Sequence, residues 1–132
     1  MQKRDVALII LYDSEKRVLL QFRDAKTNIL PLHWAFFGGA IEEGETADQA
    51  VRRECFEELD YHLKNPKLVL AQKFKEHGFE GTKYAYIEFC GDKSVLKLQE
   101  GQDWGWFKLS EIKGLKMAEH DKGVLKELEG KV

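Results

Sequence analysis

Apolar positions along the chain fall into short continuous runs at first and into a helical stripe later. Val6–Tyr12 and Val18–Phe22 are apolar runs separated by the polar stretch Asp13-Ser14-Glu15-Lys16, which predicts a hairpin of two buried strands. A loop over Asp24–Pro31 leads to a short aromatic segment, His33–Phe37, broken by Gly38-Gly39. Glu42–Glu45 is acidic and contains Gly44, as a loop would. Thr46 is a good helix N-cap with Gln49 three residues on, the pattern of a capping box. From Thr46 to Tyr61 there is neither proline nor glycine, so a helix is expected over Ala47–Leu59, with Pro66 beyond its end. Leu68–Lys75 and Lys83–Cys90 alternate in part and predict strands joined by His77-Gly78-Phe79-Glu80-Gly81. Trp104–Leu109 reads as a further strand. Glu119–Glu129 reads as a helix with Val124, Leu125 and Leu128 facing inward and Gly123 as its weak point. The predicted class is α+β, a mixed sheet flanked by helices.

With 132 residues the chain is expected to form one domain over 1–132. Hydrophobic residues make up 43% and charged residues 33%, which suits a globular protein. The net charge is −2 and no basic run occurs, so binding to a nucleic-acid polymer is not expected. The apolar run near the start is too short to span a membrane. Cys55 and Cys90 are the only cysteines, too few for a zinc site. Reduced thiols in a cytoplasmic protein are expected.

The helix over 47–59 carries the candidate chemistry. At about 100° per residue, Ala47, Val51, Cys55 and Leu59 form an apolar stripe. Glu54, Glu57 and Glu58 stand at i, i+3 and i+4 and share one surface beside it. Each like-charge pair costs roughly 0.2–0.5 kcal/mol in water. Arg53 offsets one charge of the three. A solvated acidic face with Arg52 and Arg53 as partners is one reading. A divalent ion held by carboxylate oxygens is the other.

The residues upstream favour the second. From Gly39 the chain runs five residues to Glu45, then seven to Arg53-Glu54-Cys55-Phe56-Glu57-Glu58-Leu59-Asp60-Tyr61. This resembles the Nudix box, in which a glycine, a glutamate, an arginine and three further glutamates recur at these spacings. Every charged position matches. Asp60 stands where the box has its second glycine, and Phe37 where a proline often precedes the first. A helix commonly ends in a left-handed residue, and aspartate tolerates that conformation better than most. Outside the box, the order of elements is similar to the MutT-like branch of the family.

The resemblance implies a Nudix fold, a mixed sheet between helices, and a pyrophosphohydrolase that uses Mg2+, with Mn2+ as a substitute. It implies metal ligands in Glu54, Glu58, Glu57 and the backbone carbonyl of Gly39, and it gives Arg53 the role of orienting Glu54 and Glu45. Glu100 is similar in place to a loop glutamate of MutT-like enzymes, which makes it the first candidate for general base, with Glu57 second. Arg23 is similar in place to a phosphate contact, although an ordinary strand-end charge would look the same. Phe36 is the candidate base contact, with Gly38 beside it on the substrate side. Trp34 and Phe37 are open to the same two uses, base stacking or core packing, with at least one of the three aromatics expected in the core, and Trp104, Trp106 and Phe107 are expected to pack mostly as a strand. His33, His62, His77 and His120 have no ligand partner at useful spacing, and His120 is a minor candidate for a substrate contact.

The family acts on a nucleoside diphosphate linked to another group. Markers of the branches that take ADP-ribose, dinucleoside polyphosphates or NADH are absent between Tyr61 and Tyr84. The expected substrate is a nucleoside triphosphate such as 8-oxo-dGTP, cleaved to monophosphate and pyrophosphate. A nucleotide-sugar hydrolase and a non-catalytic nucleotide-binding module are the alternatives. The second is disfavoured because no box glutamate is lost. The expected partner is a small nucleotide, with homodimerisation left open.

Overall fold

The computed structural model describes residues 1–23, 32–99 and 103–132. The strand β1 (Gln2–Lys3) runs into β2 (Val6–Tyr12), and both pair in parallel with β7 (Phe79–Phe89) in one register. The other edge of β2 pairs antiparallel with β5 (Phe37–Ala40) from Val6↔Ala40 to Ile9↔Phe37. Strand β6 (Lys67–Glu76) pairs antiparallel with the far side of β7. The strand β3 (Arg17–Phe22) pairs with β4 (Trp34–Ala35) and along its whole length with β8 (Asp103–Lys108).

The hairpin expected between β2 and β3 closes at Tyr12↔Val18 and opens beyond it. Each strand then finds other partners, because each is buried on both faces and must be sheathed on both. Asp13 holds the apex. Its carboxylate accepts from the Glu15 and Arg17 amides at 3.0 and 2.7 Å, from Arg17 Nε at 2.9 Å and from Lys93 Nζ at 2.8 Å.

The β6–β7 hairpin is longer than its sequence pattern suggests. Its turn is only His77-Gly78, with φ of 52° and 82°, and Glu76 pairs with Phe79. Two left-handed residues give the turn a twist that matches the flanking strands.

The period of β2 sorts its side chains between two cores. Ala7, Ile9 and Leu11 face one side, where α1 (Ala47–Leu59) lays Ala50, Val51, Cys55 and Leu59 against them. Leu8 and Ile10 face the other, with Val18, Leu20, Ala85 and Ile87. That side is covered by Ile112 of α2 (Leu109–Ile112) and by Val124, Leu125 and Leu128 of α3 (Glu119–Leu128). The result is the expected α+β arrangement, a mixed sheet between helices. Among the described residues no helix is long and apolar enough to cross a membrane.

Helix α1 begins with the expected capping box. The Thr46 hydroxyl accepts from Gln49 N at 3.1 Å, and the Gln49 side chain accepts from Thr46 N at 2.9 Å. It ends at Asp60, which is left-handed at φ 53°, ψ 38° and donates its N–H to Phe56 O. Beyond it, the buried Glu88 carboxylate accepts from Tyr61 Oη at 2.9 Å and from the amides of Lys64 and Asn65 at 2.9 and 2.6 Å. The segment after the 3-10 turn Lys93–Val95 returns to the same helix end, where Lys97 N donates to Leu59 O at 2.9 Å and Gln99 N to Glu58 O at 2.8 Å.

Two outcomes are expected from these contacts. Burial pushes the Asp13 carboxyl up, but Lys93, Arg17 and the Glu15 amide outweigh it and hold it at about 2, below its ordinary 3.8. A depressed carboxylate stabilises the fold above its unfolded value and loses that contribution as pH falls toward the folded one. Urea melts should therefore show Asp13→Ala clearly less stable than wild type at pH 7, with the gap narrowing between pH 4 and pH 2. At Asp60, replacement by valine should cost about 1–2 kcal/mol in the same melts, since β-branched residues resist the left-handed region. Replacement by glycine should cost nothing there.

Candidate active site

The acidic surface of α1 is pressed against the backbone of β5, and two glycines make the approach possible. Gly38 has φ 139°, and a Cβ there would lie 2.1 Å from Ala7 O on the paired strand. A Cβ on Gly39 would lie 2.6 Å from Glu54 Cδ and Oε1. The space beside the Gly39 backbone is thus filled by the Glu54 carboxylate. Glu58 is 6% exposed. Its Oε1 accepts from Gly38 N at 2.8 Å, and Oε2 lies 3.4 Å from Gln21 Nε2, which also donates to Phe36 O at 3.1 Å. Glu57 is more open, with half its side-chain surface exposed.

Arg53 gathers this face. Nε and Nη2 fork onto Glu45 at 2.8 and 2.9 Å, Nη1 donates to Glu54 Oε1 at 2.9 Å, and Glu57 Oε1 lies 3.4 Å away. Nη2 also donates to Ala40 O at 3.1 Å, tying the helix to the end of β5. The guanidinium holds the Glu45 carboxyl down at about 2, helped by the Glu42 amide. The same bond to Glu45, opposed by burial and joined by Glu54, pushes Arg53 above its ordinary value, so it is a permanent cation.

The last turn of α1 has no basic residue. Glu57 and Glu58 therefore lie at the helix end where the macrodipole disfavours negative charge, by about 0.3–1 kcal/mol each near a surface. The Glu54 and Glu58 carboxylates meet the glycine pair, and Glu57 lies beyond them on the open side of the helix, so the side chains on this face offer only oxygen donors. Such a set fits a hard divalent cation.

Gly38 and Gly39 also form one end of a cavity. Arg23 and Phe36 line it with them, so the structure places the sequence-predicted substrate residues on one surface that adjoins the acidic helix. Phe36 is 3% exposed and belongs to the core beneath α3. Burial lowers the Arg23 pKa, Glu58 opposes that shift, and Arg4 adds to it. Trp34 packs between Phe22 and Phe107 at 5.1 and 4.9 Å, and Phe37 is fully buried on the α1 side. Glu100 lies outside the described residues. Gln99, one residue earlier, bonds the carbonyl of Glu58.

The cavity has further walls that the box did not single out: Arg4, Phe74, Glu76, Phe79, Lys83 and Asp121. Two of these carry a legible signal. Lys83 shares the inward face of β7 with Ala85 and Ile87, and Asp121 shares the stripe of α3 with Val124, Leu125 and Leu128. A charge on an apolar face asks for a partner. Here each is the other's, at 2.9 Å. His120 comes close to Glu76 and Asp121, a grouping that sequence spacing hides because Glu76 lies on a different element. The Lys83 ammonium already stands between those two carboxylates.

Replacing Gly39 by alanine should force Glu54 from its place. The expected signature is a folded protein in which the Arg53–Glu54 contact is lost, readable from NMR shifts of the Arg53 side chain.

Comparison with known proteins agrees with this geometry. The family model for the NUDIX domain matches residues 1–128. A nucleoside triphosphatase NudI of Escherichia coli is 24% identical over 123 residues, covering 85% of this chain and 86% of the relative. The MutT protein of Methanosarcina mazei Go1 superposes with a TM-score of 0.86 at 16% identity, over 98% of this chain and 95% of the other. A MutT NUDIX hydrolase from Burkholderia pseudomallei gives 0.82 at 21% identity, over 97% and 99%. The box residues, the fold around them and the family match over nearly the whole chain lead to one conclusion: the protein belongs to the Nudix family.

Proposed function

We propose that the protein is a metal-dependent pyrophosphohydrolase that cleaves a nucleoside triphosphate, such as 8-oxo-dGTP, to a monophosphate and pyrophosphate. The observation that carries this reading is the joint between α1 and β5. No box glutamate is lost, and two of them, Glu54 and Glu58, are held against a glycine pair that also lines a cavity with Arg23 and Phe36. A module that had given up catalysis would have no need to keep that set. The nucleoside triphosphatase relative, at 24% identity, supports the choice of a triphosphate.

Glu54, Glu58, Glu57 and the Gly39 carbonyl would hold the cation, Mg2+ or Mn2+. Bound there, it would lower the charge of the diphosphate and the pKa of water at the site. Arg53 positions Glu54 through the contact described and is itself fixed by the Glu45 fork. Arg23 would take a phosphate oxygen, since its planar fork suits that geometry. Phe36 and Gly38 line the side where the base enters. Glu100 is the proposed general base, drawing the proton from the attacking water, with Glu57 as the second candidate. The anhydride P–O bond then breaks and pyrophosphate leaves. The same reading takes residues 1–132 as one domain acting on a free nucleotide in the cytoplasm.

A magnesium-supplemented comparison of kcat/KM across nucleoside triphosphates, nucleotide sugars and dinucleotides tests the substrate class. Triphosphates should lead, and a nucleotide sugar in first place would replace them. Glu58→Gln should lower magnesium-dependent pyrophosphate release by at least about a hundredfold while the protein stays folded. Retained turnover would remove Glu58 from the ligand set. Glu100→Gln should lower kcat by about 10²–10⁴-fold. An effect confined to KM would pass the base role to Glu57.

A further inference from the structure

Gln21 is a polar side chain at a buried position of β3. Two residues after Leu19, it falls on the face of the strand that packs against α1, and it is 6% exposed. A buried amide costs free energy unless its hydrogen bonds are met. Its Nε2 carries two protons. One goes to Phe36 O at 3.1 Å, in the gap between β4 and β5 where the strand ladder is interrupted. The other faces Glu58 Oε2 at 3.4 Å. The first bond has an ordinary length and the second is long. The strand carbonyl therefore aims the amide, and Glu58 is what it is aimed at. The other oxygen of that carboxylate accepts from Gly38 N at 2.8 Å. Donors from two strands thus approach Glu58, one on each oxygen, and together they fix the plane of the carboxylate. A carboxylate has about four acceptor sites, so two donors orient it without using it up. A role limited to Phe36 O would need only one of the two amide protons.

We propose that Gln21 is a positioning residue for the divalent cation, setting the orientation of the Glu58 carboxylate from the side of the sheet. The inference rests on the metal-dependent reading of the site given above. A ligand whose rotation is already restricted loses less freedom when it binds. Hydrogen bonds to metal ligands raise metal affinity for this reason, and losing one typically lowers it by about 10–100-fold. Glu54 has its own support in the Arg53 guanidinium at 2.9 Å, so loss of Gln21 should act through Glu58.

The test is Mn2+ binding, which needs neither substrate nor turnover. Electron paramagnetic resonance follows the free ion as metal-free protein is titrated. Gln21→Met is close in volume and donates nothing, and it should weaken Mn2+ binding by about 10–100-fold in a protein that circular dichroism shows to be folded. Leu19→Val loosens packing on the same face and removes no donor, so it should leave the affinity unchanged. A loss as large as that of Gln21→Met would make the effect one of packing and overturn the proposal. If Gln21→Met does not fold, the wild type decides. The Gln21 side-chain amide signals should move in NMR spectra along a Mg2+ titration, and signals that stay still through saturation overturn the proposal. A folded Gln21→Met that binds Mn2+ at wild-type strength ends this inference and leaves the hydrolase reading standing. Wild-type protein that binds no Mn2+ ends the metal-dependent reading and the inference together.

Discussion

The hydrogen bond from the Gly38 amide to the Glu58 carboxylate, with Glu54 packed beside Gly39, is the contact around which the rest is arranged. It brings the acidic end of a helix to within a side chain's thickness of a strand. Two missing Cβ atoms supply the room. The electrostatic side is less comfortable. Three glutamates lie within one turn and a half, two of them at the unfavourable end of the helix dipole, and Arg53 answers only part of that charge. In the hydrolase reading proposed above, a bound cation would supply the rest.

The same glycine pair joins the two faces of the sheet. Helix α1 lies on one face with its carboxylates, and α3 lies on the other with Asp121. Side chains elsewhere keep these faces apart. At Gly38 and Gly39 there is only backbone, and these two residues line the cavity while also meeting the Glu58 and Glu54 carboxylates of α1.

Much of this was legible in the chain. The capping residues and the helical period placed α1 between the correct ends, and the interval from Gly39 to Glu45 to Arg53 separated a family box from an ordinary acidic face. Asp60 in the glycine position took the left-handed conformation that its side chain permits. Other features were hidden because they depend on pairing at a distance. The early hairpin could not announce that β2 and β3 part after Tyr12↔Val18, since that choice is made by β5, β7 and β8. The turn at His77-Gly78 was masked by Glu80 and Gly81, which are poor strand formers but pair nonetheless. Lys83 and Asp121 each broke an apolar pattern in plain view, yet only the fold shows that they answer one another. Glu100 lies outside the described residues.

The bonds from Lys97 and Gln99 back to the last carbonyls of α1 have a consequence for how the molecule assembles. The helix is local and can form early, whereas its final turn is finished by amides from a much later part of the chain. Non-local closures of this kind slow folding, because loop entropy must be surrendered before the contact is gained. During synthesis the acidic helix would emerge well ahead of the segment that caps it. An incomplete chain would carry the helix with the carbonyls of Glu58 and Leu59 still waiting for these amides, and its final turn would set only as residues 97–99 dock.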